Sequence, residues 1–180
     1  MSEFYNKAKD GMAKSIDSLK RDLGSISTGR ATPSLLDTIR VDYYGSLMPL
    51  TQVANISVPE ATTLSVQVWS KDMVSAVEKA ISNSNLGFNP RVDGQLIRIN
   101  IPKLSEERRR ELCKLVKKYG EDKKVSIRNV RRDIIDSVKD AEISEDDTKR
   151  AKDDIQKCTD EYIKLIDEMT KVKEVDIMKV

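Results

Sequence analysis

Arg110, Lys114, Lys117, Lys124, Arg128 and Arg131 recur at steps that keep side chains along one side of an α-helix, with Glu121 alone breaking the series. Such a row has one chemistry in common: each group offers N–H donors and positive charge to an anion. Arginine adds a rigid planar fork that grips two phosphate oxygens at once. The run Arg128-Asn129-Val130-Arg131-Arg132-Asp133 concentrates three such forks, so the segment reads as a rod presenting positive charge to a polyanion along its length. A solvated helix face is the simpler alternative, because 34% of the chain is charged.

Other chemistries are poorly served. The chain has no histidine, which removes the usual general base, proton shuttle and zinc ligand. Cys113 and Cys158 form no C-x-x-C pair and lie on or beside apolar stripes, so they read as buried free thiols. No Gly-rich loop of Walker or dinucleotide type occurs, and no carboxylate pair sits in a catalytic frame. The expectation is a binding protein with no catalytic residue, no metal and no cofactor.

The stretch from 105 to 140 carries 12 Lys or Arg against 8 Asp or Glu, a net +4, and residues 141 to 180 carry 8 against 12, a net −4. A basic helix is thus followed by an acidic one. No run approaches the roughly eighteen apolar residues that cross a bilayer, and Met1 to Asp10 lack the apolar core of a secretory signal. A soluble, cytoplasmic protein is expected.

Three helices must position the basic row. Opposite it, Leu112, Val116, Tyr119, Lys123, Ile127, Val130 and Ile134 form an apolar stripe broken only by Lys123. Neutralising Lys124, Arg128 or Arg131 on the far side should therefore leave the core intact. In the first thirty residues Tyr5, Met12, Leu19 and Ile26 stand seven apart, with Ala8, Ile16 and Leu23 between them. A third seam runs through Ala151, Ile155, Cys158, Tyr162, Leu165, Met169 and Val172, started by a capping box at Ser144 to Asp147. Gly120 interrupts the middle helix without changing its apolar phase, so that helix is expected to run through.

Residues 31 to 104 change period. Ile39-Val41-Tyr43, Leu64-Val66-Val68 and Ile97-Ile99-Ile101 alternate with polar residues as half-buried strands do, and Met73, Val77, Ala80 and Ile81 mark a short helix. Trp69, ending one strand, reads as packing. The expected fold class is α+β: a long three-helix bundle (1–30 and 105–180) with an inserted small β/α/β head domain (31–104). The crossings Gly29-Arg30-Ala31-Thr32-Pro33 and Pro102-Lys103-Leu104 read as hinges.

Several blocks carry a family likeness: Thr28-Gly29-Arg30-Ala31, Pro33-Ser34-Leu35-Leu36-Asp37, Val41-Asp42-Tyr43-Tyr44-Gly45 and Lys124-Val125-Ser126-Ile127-Arg128-Asn129-Val130-Arg131-Arg132-Asp133. With Leu104-Ser105-Glu106-Glu107-Arg108-Arg109 and Ile143-Ser144-Glu145-Asp146-Asp147 they resemble, in order and over the whole chain, bacterial ribosome recycling factors. The resemblance implies an L-shaped, tRNA-sized monomer that binds the post-termination ribosome between its subunits. With elongation factor G, which hydrolyses GTP, it would split the particle and release mRNA and deacylated tRNA. It also implies rRNA contacts at Arg128 and Arg131, further contacts at Arg30 and Arg109, and no membrane or DNA partner. The chain departs from the family pattern at Ser27, where arginine is common, at Ile134-Ile135 and at Cys113. A protein-only helical adaptor is the competing reading; it predicts weak dependence of binding on salt, where RNA binding predicts steep dependence.

Overall fold

A computed structural model describes residues 3–179; Met1, Ser2 and Val180, at the ends of the expected bundle, lie outside the described residues. The order of elements is α1 (Glu3–Gly24), β1 (Arg40–Tyr43), β2 (Ser46–Pro49), β3 (Ala54–Glu60), β4 (Thr63–Val68), α2 (Val74–Ser82), β5 (Pro90–Asp93), β6 (Leu96–Asn100), α3 (Glu106–Asp140) and α4 (Glu145–Met178). These divide into two compact units, Met1–Leu23 with Arg110–Val180, and Gly24–Arg109.

In the first unit three helices meet pairwise. α1 approaches α3 at Gly11, where a Cβ would stand 2.9 Å from Val130 Cγ1, and α3 approaches α4 at Gly120, where a Cβ would stand 2.7 Å from Thr170 Cγ2. α1 meets α4 at Met12, whose sulfur lies 3.9 Å from Cys158 Sγ. Gly120 is thus a point of close approach inside an unbroken helix of 35 residues.

The buried lines depart from a seven-residue repeat. Val116, Ile127 and Val138 on α3, and Ile155, Ile166 and Ile177 on α4, are each fully buried and stand eleven apart. Against the 3.6 residues of an α-helical turn, a heptad drifts by about 20° per repeat and an eleven-residue repeat drifts the other way. The expected seam of α4 therefore leaves the core: Leu165 is 38% and Val172 62% exposed. α1 is also shorter than its pattern suggested, ending at Gly24, so that Ile26, although buried, lies beyond the helix and does not extend the helical seam.

Polar residues fix the ends and the register of the helices. Ser144 Oγ accepts the Asp147 N–H at 3.1 Å and donates to Asp147 Oδ2 at 2.7 Å, closing the expected cap of α4. Ser105 Oγ likewise accepts the Arg108 N–H at the start of α3. Lys123, the interruption of the apolar stripe, donates to Ser18 Oγ at 2.7 Å and pairs with Asp22 at 3.3 Å, clasping α3 to α1.

The second unit holds an antiparallel four-stranded sheet in the order β3-β4-β6-β5 and a separate β1-β2 hairpin. The hairpin turns on Tyr44 and Gly45, both at positive φ, as the right-handed twist of its strands requires. Leu64, Val66 and Val68 with Ile97 and Ile99 point to one side, where Val77 and Ile81 of α2 complete a core. Trp69 is outside it, 56% exposed, because the chain bends away after Val68 and the indole falls on the opposite parity from the buried strand residues.

The two-residue turn Ala61-Thr62 receives the first expected hinge segment and the residue just before the second: Ala31 N–H donates to Ala61 O at 2.8 Å and Ile101 N–H to Thr62 O at 2.7 Å. Segments 29–33 and 102–104 accordingly lie inside the second unit, several residues within the divisions at Leu23/Gly24 and Arg109/Arg110.

The close approach at Gly120 makes a stability test. Alanine is the better helix former by about 1 kcal/mol, yet overpacking against a β-branched methyl costs about 1 to 3 kcal/mol. Gly120→Ala should lower the midpoint of denaturant unfolding, and adding Thr170→Ser, which deletes Cγ2, should recover most of the loss. Additive effects in this cycle would show that the two sites are not coupled.

Candidate nucleic-acid interface

α3 displays the basic row much as its periodicity requires, because the same turns that bury Leu112 and Val116 carry Arg110 and Lys114, two positions earlier, to the far side. Arg110, Lys114, Lys117, Arg128 and Arg132 are exposed, as is Glu121. At about 1.5 Å per residue, the row from Arg110 to Arg131 extends roughly 32 Å.

Two members are not on the open surface. The Lys124 side chain is only 15% exposed and donates to Asp167 of α4 at 2.5 Å and to Glu121 at 3.3 Å. The hydrogen bond to Asp167 holds its ammonium above the ordinary lysine pKa, against the opposing pull of burial. Lys124 is therefore a crosspiece between α3 and α4, and neutralising it would remove an ion pair with the exposed Asp167 as well as a surface charge. Arg131 is half-buried, and its Nε is buried with no acceptor on the protein. The same holds for Nε of Arg109, half-buried near the start of α3. A desolvated N–H without a partner carries a penalty of about 1 to 3 kcal/mol, and the covered Nε leaves the terminal guanidinium nitrogens as the donors available to a phosphate. The orphaned donors thus sit on two of the arginines that the family resemblance pointed to.

Arg30 lies in the second unit and is exposed, beside Gly29 at φ 79°. A Cβ on Gly29 would stand 3.9 Å from Leu104, so the first crossing runs close beside the second. Thr32 is exposed, Pro33 opens a one-turn 3-10 helix, and Pro102 and Lys103 are exposed. Ser27, where the family commonly has arginine, accepts the Gly29 N–H at 3.3 Å and so shapes this turn.

Ile134 and Ile135 are half-buried. Both thiols are free, Cys158 buried and Cys113 half-buried, with burial pushing both above the ordinary thiol pKa. The expectation of two buried thiols thus holds for Cys158 alone.

Residues 19–178 match the family described as Ribosome recycling factor. The ribosome-recycling factor of Clostridium tetani is 52% identical, with 100% of each chain covered. That of Methylobacterium radiotolerans is 53% identical over 97% of this chain and 96% of its own. A solution structure of the ribosome recycling factor superposes with a TM-score of 0.79 at 42% identity, covering 99% of this chain and 97% of the other. A second structure presents models for the T. thermophilus ribosome recycling factor and the E. coli elongation factor G bound to the E. coli post-termination complex. Its matching chain has a TM-score of 0.65 at 43% identity, with 98% of each chain covered.

The two kinds of cation on α3 separate in a stability measurement. Arg128→Gln, on the open face, should change unfolding free energy by less than about 0.5 kcal/mol. Lys124→Gln should cost about 0.5 to 1 kcal/mol, modest because Asp167 is 58% exposed. Since folding raises the Lys124 pKa, its contribution is fully present below the unfolded value near 10.4 and is lost as pH rises through the folded one. The difference between wild type and Lys124→Gln should accordingly vanish in strong alkali; a difference that persists there would assign the loss to packing.

Proposed function

The chain belongs to the ribosome recycling factor family, and we propose that it grips large-subunit RNA through the open Arg/Lys face of α3. It acts in ribosome recycling with elongation factor G on the post-termination ribosome, and it is a non-enzymatic factor. The observation that carries the RNA reading is the exposed row Lys114, Lys117 and Arg128, backed by a continuous buried line on the same helix. A rigid helix can hold such cations in fixed positions, so binding RNA requires little ordering of the protein. Neutralising each phosphate releases counterions, which supplies affinity that falls steeply with salt. Arg110, Arg131, Arg132, Arg109 and Arg30 extend this set of contacts, while Lys124 holds the face in place from beneath.

The division of labour follows. The helical unit anchors to the large subunit between the two ribosomal subunits. The second unit receives the movement that elongation factor G drives with GTP, and the particle separates so that mRNA and deacylated tRNA leave. Ala31 and Ile101 are tied by their backbones to the Ala61-Thr62 turn, so the working hinge lies outside residues 31–101, in the connections 24–30 and 102–109 that lead to the divisions at Leu23/Gly24 and Arg109/Arg110. No helix among the described residues is long and apolar enough to cross a membrane. Membership of a family of ribosome-associated factors supports the cytoplasm as the place of action.

Ribosomes incubated with this protein, elongation factor G and GTP should resolve into subunits on a gradient only when both proteins are present. The variant Lys114→Gln/Lys117→Gln/Arg128→Gln should keep its fold and lose affinity for large subunits. Its slope of log K against log salt should flatten by about 2, three contacts at the single-strand value. Control changes Lys164→Gln and Lys171→Gln on α4 should do much less, and equal behaviour of both sets would reduce the row to a solvated face. At Gly29, φ 79° excludes proline and strains any other side chain. Gly29→Ala should leave large-subunit binding intact and slow subunit release, whereas equal loss of both would remove the hinge from the mechanism.

A further inference from the structure

The four-stranded sheet of the second unit buries one face against α2 and leaves most of the other exposed, Ser65 at its centre being covered by its neighbours' side chains or backbone to 8% exposure. Pairing in register puts Arg91 of β5 directly opposite Arg98 of β6, and the same row continues through Ser65 of β4 to Ser57 of β3. The next row carries Asn55, Gln67, Leu96 and Asp93. Period-two alternation places both rows on the side away from Val66 and Ile97. Arg91 and Arg98 are exposed, and neither makes an ion pair with a described residue. Like charges directly across a strand pair repel. Two guanidinium groups in that position, unrelieved by the protein, are an arrangement that an anion between them would stabilise. Carboxylates stand nearby, Asp93 in the flanking row and Glu60 opposite Thr63, but among the described residues no ion pair joins either to these arginines.

One end of this face carries the exposed indole of Trp69. Its position is fixed by the backbone: Trp69 N–H donates to Val53 O at 3.2 Å, and Gln95 Nε2 donates to the carbonyls of Val68 and Trp69. A large aromatic held in the open at the edge of a polar sheet offers a stacking surface for a planar group.

We propose that this open sheet face is a second RNA-binding surface, taking unpaired RNA with phosphate at Arg91 and Arg98 and a base stacked on Trp69. A protein partner fits less well, because Leu96 is the single aliphatic side chain in the two rows and there is no apolar centre to bury. Hydroxyl and amide groups at Ser57, Asn55 and Gln67 suit sugar and base edges, and antiparallel sheets that display aromatics among cations are one of the recurrent ways proteins hold unpaired RNA. The proposal rests on the reading of this chain as an RNA-binding factor only in its choice of polymer.

Trp69 is the chain's single tryptophan, so its fluorescence reports on this face alone. Titrating the full chain with a short oligouridylate should quench it saturably, and the quenching should be reversed by salt. Arg91→Gln/Arg98→Gln relieves the like-charge contact and should fold normally; it should abolish the quenching, or flatten the salt slope by about 1.4, two contacts at the single-strand value. Trp69→Leu, followed by the anisotropy of labelled RNA, should bind about tenfold more weakly, within the range of one lost stack. The α3 variant Lys114→Gln/Lys117→Gln/Arg128→Gln should be quenched like wild type, which separates this surface from the helical one. Absence of quenching in wild type, quenching unchanged in Arg91→Gln/Arg98→Gln, or quenching by polyglutamate in place of RNA would each overturn the proposal.

Discussion

The rotation of α3 about its own axis is the constraint on which the helical unit depends. Two glycine contacts set it, Gly11 against Val130 and Gly120 against Thr170. They hold the helix from two directions, and Lys123 and Lys124 secure it with polar clasps to α1 and α4. A turn of about 100°, the angle between successive residues, would carry Val116 and Ile127 out of the core and Lys117 and Arg128 toward it. The core and the cation face are therefore one decision made once, by the way three helices pack. An interface built on such a rod is set by backbone contacts and keeps its spacing without help from the ligand.

Much of this could be read from residue order. The long helices, the cap at Ser144, the inserted β-rich segment and the basic row all follow from period, turn chemistry and charge, which are local properties. What escaped was whatever depends on neighbours distant in sequence. Leu165 and Val172 fit a heptad as well as any residue does, and only the direction in which α4 drifts across its partners exposes them. Lys124 looked like its neighbours Lys117 and Arg128 until Asp167, 43 positions further on, claimed it. β2, β3 and β5 were missed because Pro49, Pro59 and Pro90 break the alternation, and edge strands tolerate proline. Trp69 reads as packing from its residue type, although its parity sets it opposite Val68.

The two units respond differently to substitution. In the helical unit, the expected RNA contacts at Lys114, Lys117 and Arg128 can change without loss of core, since they lie wholly on the open side. Arg131, and Arg109 at the last residue of the second unit, have no such freedom: their stems are half-buried and their Nε groups already desolvated, so binding and packing are coupled at these positions. In the second unit the hydrophobic core is complete on one side of the sheet, which leaves the exposed positions of the other side, Ser65 excepted, little constrained by folding.

The paired carbonyls of Ala61 and Thr62 have a mechanical meaning. Both chain crossings end their slack at one turn of one hairpin, so tension arriving along either enters the sheet at the same place, and β3 and β4 share it. Because the acceptors are main-chain oxygens on exposed residues, side chains at 61 and 62 can vary with little effect on this junction. The length of the turn cannot. A single inserted residue would separate the two carbonyls, so that one crossing kept its grip while the other slid, and a symmetric tether would become a loose one without the loss of any side chain.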